Sequence, residues 1–271
     1  MNYFEETSQQ YASDTPGWLQ MLDTKYHYMQ QSRYLWIIDA GHGGITKEGK
    51  YATKPIQVAN PPEWARAIGG TWYETKSHLF ADGTRVYEGE INRAIAKQVY
   101  EQLIHKNIDF ALVYDDVEDF PLSQRVTMAD NIFRKDRRAI YLSIHADKMS
   151  LATEPYPTTA SHHRRPATGR GIAIYTSPGQ TRSDKVADIF STVYQKHLPE
   201  FHHRTDHSDG DADLEADFYV LRKTDCPAIL IENLFYDNLE EAQYLLSNSG
   251  QKAIADTIVK AITETEKLKP V

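Results

Sequence analysis

Three short stretches carry a histidine or an acid directly behind an apolar run: "LWIIDAGHGG" leads to His42, "AIYLSIHAD" to His145, and "CPAILIENLF" to Glu232. A fourth, "RVYEGEIN", offers Glu88 and Glu90 where a helical pattern begins. Imidazoles and carboxylates ligate metals of intermediate softness and transfer protons near neutral pH. Two neutral histidines and one carboxylate, with a fourth position left to water, make a catalytic zinc site, whereas a structural site is more often closed by four protein ligands. A further carboxylate beside the metal can act as general base. These groups are far apart in the chain, unlike the compact H-E-x-x-H motif, so the fold has to bring them together. Gly41, Gly43 and Gly44 around His42 permit tight turning and close approach of backbone to metal or substrate.

The elements that would do this alternate along the chain. Strand candidates are Leu35 to Asp39, Phe110 to Tyr114, Ala139 to Ile144, Gly171 to Tyr175, Phe218 to Leu221 and Ala228 to Ile231. Between them lie helical patterns beginning at Glu90, Leu122, Arg182 and Gly250; in the first, Ile91, Ile95, Val99 and Leu103 recur every fourth residue, as a buried face requires. Such alternation predicts an α/β domain, a sheet of about six strands covered by helices. In open α/β sheets the active site lies outside the carboxyl ends of the strands, so the four segments are expected to meet at one edge. Three stretches fall outside the pattern: residues 1–33, the long connection Ile45 to Arg85 containing "NPPEWARAIGGTWYE", and the Thr-, Pro-, His- and Arg-rich segment Ser150 to Arg170. Long connections in compact domains often form lids and binding walls.

Composition narrows the function classes. A chain of 271 residues, 41% hydrophobic and 25% charged, can bury a globular core. Its formal charge of −8 argues against general nucleic-acid binding, which needs a basic face, although "HHRRP" from His162 to Pro166 is a local basic run. With Cys226 as the one cysteine there is no intrachain disulfide and no cysteine-built metal site. No window has the roughly 18 consecutive apolar residues of a membrane span. The polar, acidic start "MNYFEETSQQYASDTPGW" lacks the basic and apolar regions of a secretory signal. The chain therefore stays where it is made, leaves by a route that does not read its N-terminus, or has lost its signal.

In their order, "IIDAGHGG", "YEGEINRAIA", "LSQRVTMAD", "YLSIHAD" and "FYVLRKTDCPAILIENLFYDN" resemble the zinc-dependent N-acetylmuramoyl-L-alanine amidases of the amidase-3 type, over about Leu35 to Ile262. The resemblance implies a single α/β domain with a twisted, mostly parallel (mixed) sheet flanked by helices, here residues 34–271 behind the extension 1–33. It also implies one zinc ion per chain, ligated by His42, Glu88 and His145, with Glu232 as the catalytic glutamate. Glu88 is chosen over Glu90 by register, since the family's glutamate stands six residues before a helical A-I-A, as Glu88 does before Ala94. The implied reaction is hydrolysis, by a zinc-activated water, of the amide between N-acetylmuramic acid and L-alanine in peptidoglycan. The expected partner is peptidoglycan alone, met by a monomer in the cell wall or periplasm, with neither nucleic acid nor membrane insertion. A phage endolysin and an exported bacterial enzyme both fit. Two departures stand out: the connection between His42 and Glu88 is longer than in compact members, which bears on substrate preference, and Asp130 replaces the usual Asn.

Each residue also has a plainer reading. Glu232 could cap a helix or pair with an arginine such as Arg222. His162, His163, His202, His203 and His207 sit in polar loops and read as solvated surface, although "HHRTDHSDGD" could take up an adventitious cation. Asp39 and Asp147 border the ligand loops, where they either orient an imidazole or serve turn chemistry. Arg125 and Asp130 are expected to fix packing, and Cys226 to be a buried thiol. The rival functions are a catalytically inactive peptidoglycan-binding module and a metal-free glycosidase using Glu88 and Glu232.

Overall fold

The computed structural model describes residues 25–54, 56–57, 73–74, 76–149, 169–179, 181–208 and 210–268. The basic run His162 to Pro166 and most of the N-terminal extension lie outside the described residues. An eight-stranded sheet is built from β1 (Tyr26–His27), β2 (Leu35–Ala40), β3 (Asp109–Leu112), β4 (Ala139–Asp147), β5 (Ile172–Thr176), β6 (His203–Arg204), β7 (Leu214–Glu215) and β8 (Ala228–Phe235). In space the order is β1, β3, β2, β4, β8, β5, β6, with β7 also paired to β5. All pairings are parallel except β1 with β3 and β8 with β5. Two small antiparallel hairpins, Ile56–Gln57 with Tyr73–Glu74 and Ser77–Leu79 with Arg85–Tyr87, belong to the long connection after His42.

The central strands are buried up to their carboxyl ends, where His145, Asp147 and Glu232 are part-exposed, because both faces are covered, which is why they read as apolar runs. In β2 the two-residue period sends Leu35 and Ile37 to one core and Trp36, Ile38 and Ala40 to the other. Helices α1 (Glu88–His105), α3 (Asp184–His197), α5 (Leu239–Leu246) and α6 (Asn248–Thr265) supply the larger core, and α2 (Leu122–Lys135) and α4 (Tyr219–Lys223) the smaller. The four-residue stripe of α1 is buried as its spacing predicts, with Ile91, Ile95, Val99 and Leu103 each at 2% exposure or less.

Two expectations are corrected. Among the described residues the sheet has eight strands where about six are expected, because β1, β6 and β7 are two-residue strands too short to leave a periodic signal. Phe218 to Leu221 is not a strand: Tyr219–Lys223 is a helical turn in which the Arg222 N–H donates to the Phe218 carbonyl at 2.9 Å. Apolar runs this short do not distinguish strand from helix. Here β7 takes the place beside β5, while Val220 and Leu221 pack into the smaller core. Helix α5 was not anticipated, although "NLEE" is a start signal. The Asn238 side chain accepts from the Glu240 and Glu241 N–H groups, and both acids lie in the first turn.

Glu241 ties α5 to the sheet, accepting from the Gly171 N–H at 2.8 Å and the Phe235 N–H at 2.7 Å with its side chain buried. Replacing it with alanine leaves two buried donors unpaired, and Glu241→Ala is expected to lower the urea-unfolding free energy by about 2–4 kcal/mol; an unchanged midpoint would contradict this.

Candidate functional site

Parallel neighbours β2, β4 and β8 end at the same edge of the sheet. Ala40 stands opposite Ile144, and Glu232 opposite His145. The ladder continues one step past β2, where the Gly41 N–H donates to the Ile144 carbonyl at 3.0 Å. The chain then turns through His42 in the left-handed region, at φ 64°, which is uncommon for a residue with a side chain. Glu88 enters this edge as the first residue of α1, where the helix dipole favours an anion. In β8 the register shifts between Glu232 and Phe235, with Leu234 at φ 63°. An irregularity of this kind next to an active site re-aims side chains.

His42, Glu88 and His145 converge. His42 Nε2 lies 3.2 Å from Glu88 Oε2, and His145 Nδ1 lies 2.9 Å from Glu88 Oε1. The two rings meet edge to face with centroids 5.2 Å apart, and the three donor atoms all lie within 4.8 Å of one another. Burial pushes the Glu88 carboxyl toward its neutral form, but the charge of His42, hydrogen bonds from His145 and His42, and the charge of Lys76 hold it well below the usual carboxylate range. Burial lowers the pKa of His145 against the pull of Glu88, favouring the neutral imidazole that a metal requires. Two nitrogens and an ionised carboxylate oxygen at this spacing are a donor set suited to zinc.

Glu232 is in the opposite state. Burial, then the charges of Glu88 and Asp147, push its pKa well above that of an ordinary carboxylate, with Lys76 and Arg204 opposing. Its Oε2 is buried without a hydrogen-bond partner. The arginine offered as a plain partner is elsewhere, since Arg222 pairs with Asp217 at 2.8 Å.

Glycines set how closely these parts approach. A Cβ on Gly41 would lie 2.1 Å from His145 Cε1, and one on Gly89 would lie 1.9 Å from the Gly43 carbonyl oxygen. The "GHGG" and "EGE" motifs therefore meet in one contact, Gly43 against Gly89.

Other residues singled out in the sequence take different places. Glu90 stays outside the cluster and accepts from the Ile45 N–H at 2.6 Å, fastening the base of the long connection. Asp39 accepts from Arg125, from the Tyr141 hydroxyl at 2.6 Å and from the Ser143 hydroxyl at 2.9 Å. Asp147 pairs with Arg204 at 2.8 Å. Asp130 accepts from the Asp225 N–H at 2.8 Å, and Cys226 is buried with its thiol pushed up to about 12. His202 and His207 are exposed, while His203 Nε2 lies 3.0 Å from the Leu198 carbonyl.

Three residues that hold the edge were missed. Asn92 donates to the Gly41 carbonyl at 3.2 Å and to Glu88 Oε1 at 3.4 Å. Asn233 donates to the His145 carbonyl at 3.1 Å and accepts from the Tyr194 hydroxyl at 2.9 Å. Thr53 accepts from the Gly43 N–H at 2.7 Å. Asn92 had a signal, four residues after Glu88 on one helix face, and Asn233 adjoins Glu232; nothing local marks Thr53.

A mixed α/β sheet with two imidazoles and a carboxylate at its carboxyl edge defines an α/β protein with a candidate metal centre. Its residues 37–264 match the Amidase_3 family, N-acetylmuramoyl-L-alanine amidase, and the chain belongs to that family. Solved structures share the fold. An N-acetylmuramoyl-L-alanine amidase from Clostridium difficile 630 is 22% identical with a TM-score of 0.57, covering 87% of this chain and 98% of that one. The amidase AmiC2 of Nostoc punctiforme is 20% identical at 0.59, with 87% and 98% covered. An N-acetylmuramyl-L-alanine amidase from Mycobacterium smegmatis is 20% identical at 0.59, with 86% and 96% covered. No curated protein matches the sequence.

The Gly89 contact gives a test of sign. In a helix, alanine is ordinarily more favourable than glycine by up to about 1 kcal/mol. Because its Cβ would strike the Gly43 carbonyl, Gly89→Ala is instead expected to destabilise the protein by about 1–3 kcal/mol in urea unfolding; a stabilised variant would show that the contact is not made.

Proposed function

We propose that this chain is a zinc-dependent N-acetylmuramoyl-L-alanine amidase, hydrolysing the amide that joins the lactyl group of N-acetylmuramic acid to L-alanine in peptidoglycan. The observation that carries this reading is the convergence of His42, Glu88 and His145 on donor atoms within 4.8 Å of one another, beside Glu232, in a chain of the amidase family. His42, Glu88 and His145 would hold one zinc ion, and residues 34–271 form the catalytic unit, to which Tyr26–His27 adds an edge strand. The site of action is the cell wall, and no described helix is long and apolar enough to cross a membrane.

When bound, zinc polarises the scissile carbonyl and lowers the pKa of a coordinated water toward about 7. The chain's own residues account for the proton path. Glu232 accepts a proton from the water that attacks the lactyl carbonyl carbon, then delivers it to the alanine nitrogen as the C–N bond breaks. Atoms balance as amide plus water giving a carboxylic acid and a free amine. A base must begin ionised; Lys76 and Arg204 favour that form of Glu232 against burial and the charges of Glu88 and Asp147, and a cation held by His42, Glu88 and His145 would add to them. The metal-free glycosidase reading requires Glu88 as one of two reacting carboxylates, but both of its oxygens are engaged by imidazoles.

The test pairs a variant with product analysis. Glu232→Gln is expected to keep zinc by elemental analysis while amide release from purified sacculi falls by about 100-fold or more. Wild-type protein should release free L-alanine amino groups and no new reducing ends, lose this with a chelator, and regain it with Zn²⁺. Near-wild-type turnover by the variant, or chelator-resistant release of reducing ends, would overturn the assignment.

A further inference from the structure

We infer that Arg125 is a positioning residue for the metal centre: its guanidinium grips the backbone of the loop that carries His42 and so sets the affinity for zinc. This rests on the metal reading above.

The first observation is that His42 holds a left-handed backbone, φ 64°, without being glycine. That conformation is disfavoured for a residue with a side chain and persists only where the surroundings enforce it. The second is what surrounds it. Arg125 projects from α2 under the strand end with 2% of its side chain exposed. Its Nη1 donates to the Ala40 carbonyl at 2.8 Å and to Asp39 Oδ1; its Nη2 donates to the carbonyl of His42 itself at 3.2 Å and to Asp119 Oδ1 at 3.3 Å; its Nε donates to the Phe120 carbonyl at 2.9 Å. One planar group thus engages the residue before the turn, the strained residue, and the segment 119–120 opposite.

Neither Asp39 nor Arg125 touches an imidazole in these contacts; the effect runs through the main chain. With the two carbonyls fixed, the Cα–Cβ direction of His42 is fixed, and Nε2 is delivered to Glu88. Released from this hold, His42 is free to relax to negative φ, which swings the ring off the carboxylate while leaving β2 and α2 in place. Asp39 keeps the guanidinium charge compensated in the interior, and Tyr141 and Ser143 complete the Asp39 oxygens. A lysine at 125 retains the charge beside Asp39 but has no rigid fork to reach both carbonyls.

The test separates zinc affinity from stability. Arg125→Lys is compared with Arg138→Lys, which weakens a remote ion pair of Arg138 with Asp136 and Asp109. Zinc affinity is measured by competition with a chromophoric chelator, the cobalt-substituted absorption spectrum reports ligand geometry, and urea unfolding of the metal-free protein reports stability. Arg125→Lys is expected to bind zinc about 10- to 100-fold more weakly with an altered cobalt spectrum, whereas Arg138→Lys loses stability at unchanged affinity. If Arg125→Lys does not fold, Arg125→Met with Asp39→Asn removes the buried charges together and carries the same expectation. Wild-type affinity and spectrum in the folded variant overturn the role of Arg125; a wild-type protein that takes up no zinc overturns the metal reading itself.

Discussion

With 2% of its surface exposed, Glu88 can remain ionised only if donors or cations replace the water it has lost. His42 and His145 meet that demand from opposite sides, one on each carboxylate oxygen. The rest of the edge follows from it. Two rings reach one carboxylate only if β2 and β4 end level, if α1 begins against the turn after β2, and if no Cβ intervenes at Gly41 or Gly89. Glu88 sits at a helix N-terminus, so the backbone adds its own favourable field.

Parallel pairing levels the strand ends. Because β2, β4 and β8 are consecutive in space and run in one direction, their carboxyl ends deliver His42, His145 and Glu232 to one side although more than a hundred residues separate the first from the last. The larger and smaller cores clamp these strands on both faces, so the edge inherits a rigid backbone. Buried amides and one guanidinium then hold the turns: Asn92 on Gly41, Asn233 on His145, Arg125 on Ala40 and His42. Polar groups at this depth have few alternative partners, which is what makes them specific.

Much of this was legible because the signals are strong and local. Apolar runs ending in His or Glu gave the three strand ends, and the four-residue stripe gave α1. Glu88 was separated from Glu90 only by family register, and in space the difference is plain: Glu88 lies between the imidazoles, while Glu90 binds the Ile45 N–H. What was not legible depends on tertiary pairing. Two-residue edge strands carry no period, and "FYVL" has the residues of a strand but folds as a helical turn whose Val220 and Leu221 pack into the smaller core. The left-handed turn at His42 is invisible where glycines flank it, since they advertise flexibility at positions 41, 43 and 44 and not at 42. Arg125, read as packing, is as buried as expected, yet the backbone it holds belongs to the loop of the candidate site.

The long connection after His42 bears on the chemistry more directly than its composition suggests. Thr53 fixes Gly43, and the Tyr51 hydroxyl accepts from the Gly89 N–H and donates to the Lys76 carbonyl, both at 3.2 Å. Lys76 in turn is a cation that both Glu88 and Glu232 sense. In spite of this shared cation the two carboxylates are driven apart: Glu88 toward the ionised form by its imidazoles, Glu232 toward the neutral form by burial and by the charges of Glu88 and Asp147. A separation of this kind assigns different tasks to chemically similar groups. In the proposed reaction Glu88 would serve as a ligand, and Glu232, once ionised, as the group that takes the proton and gives it back. Residues of the connection therefore help set the electrostatics of the candidate centre, and the connection is part of the site as much as of its rim.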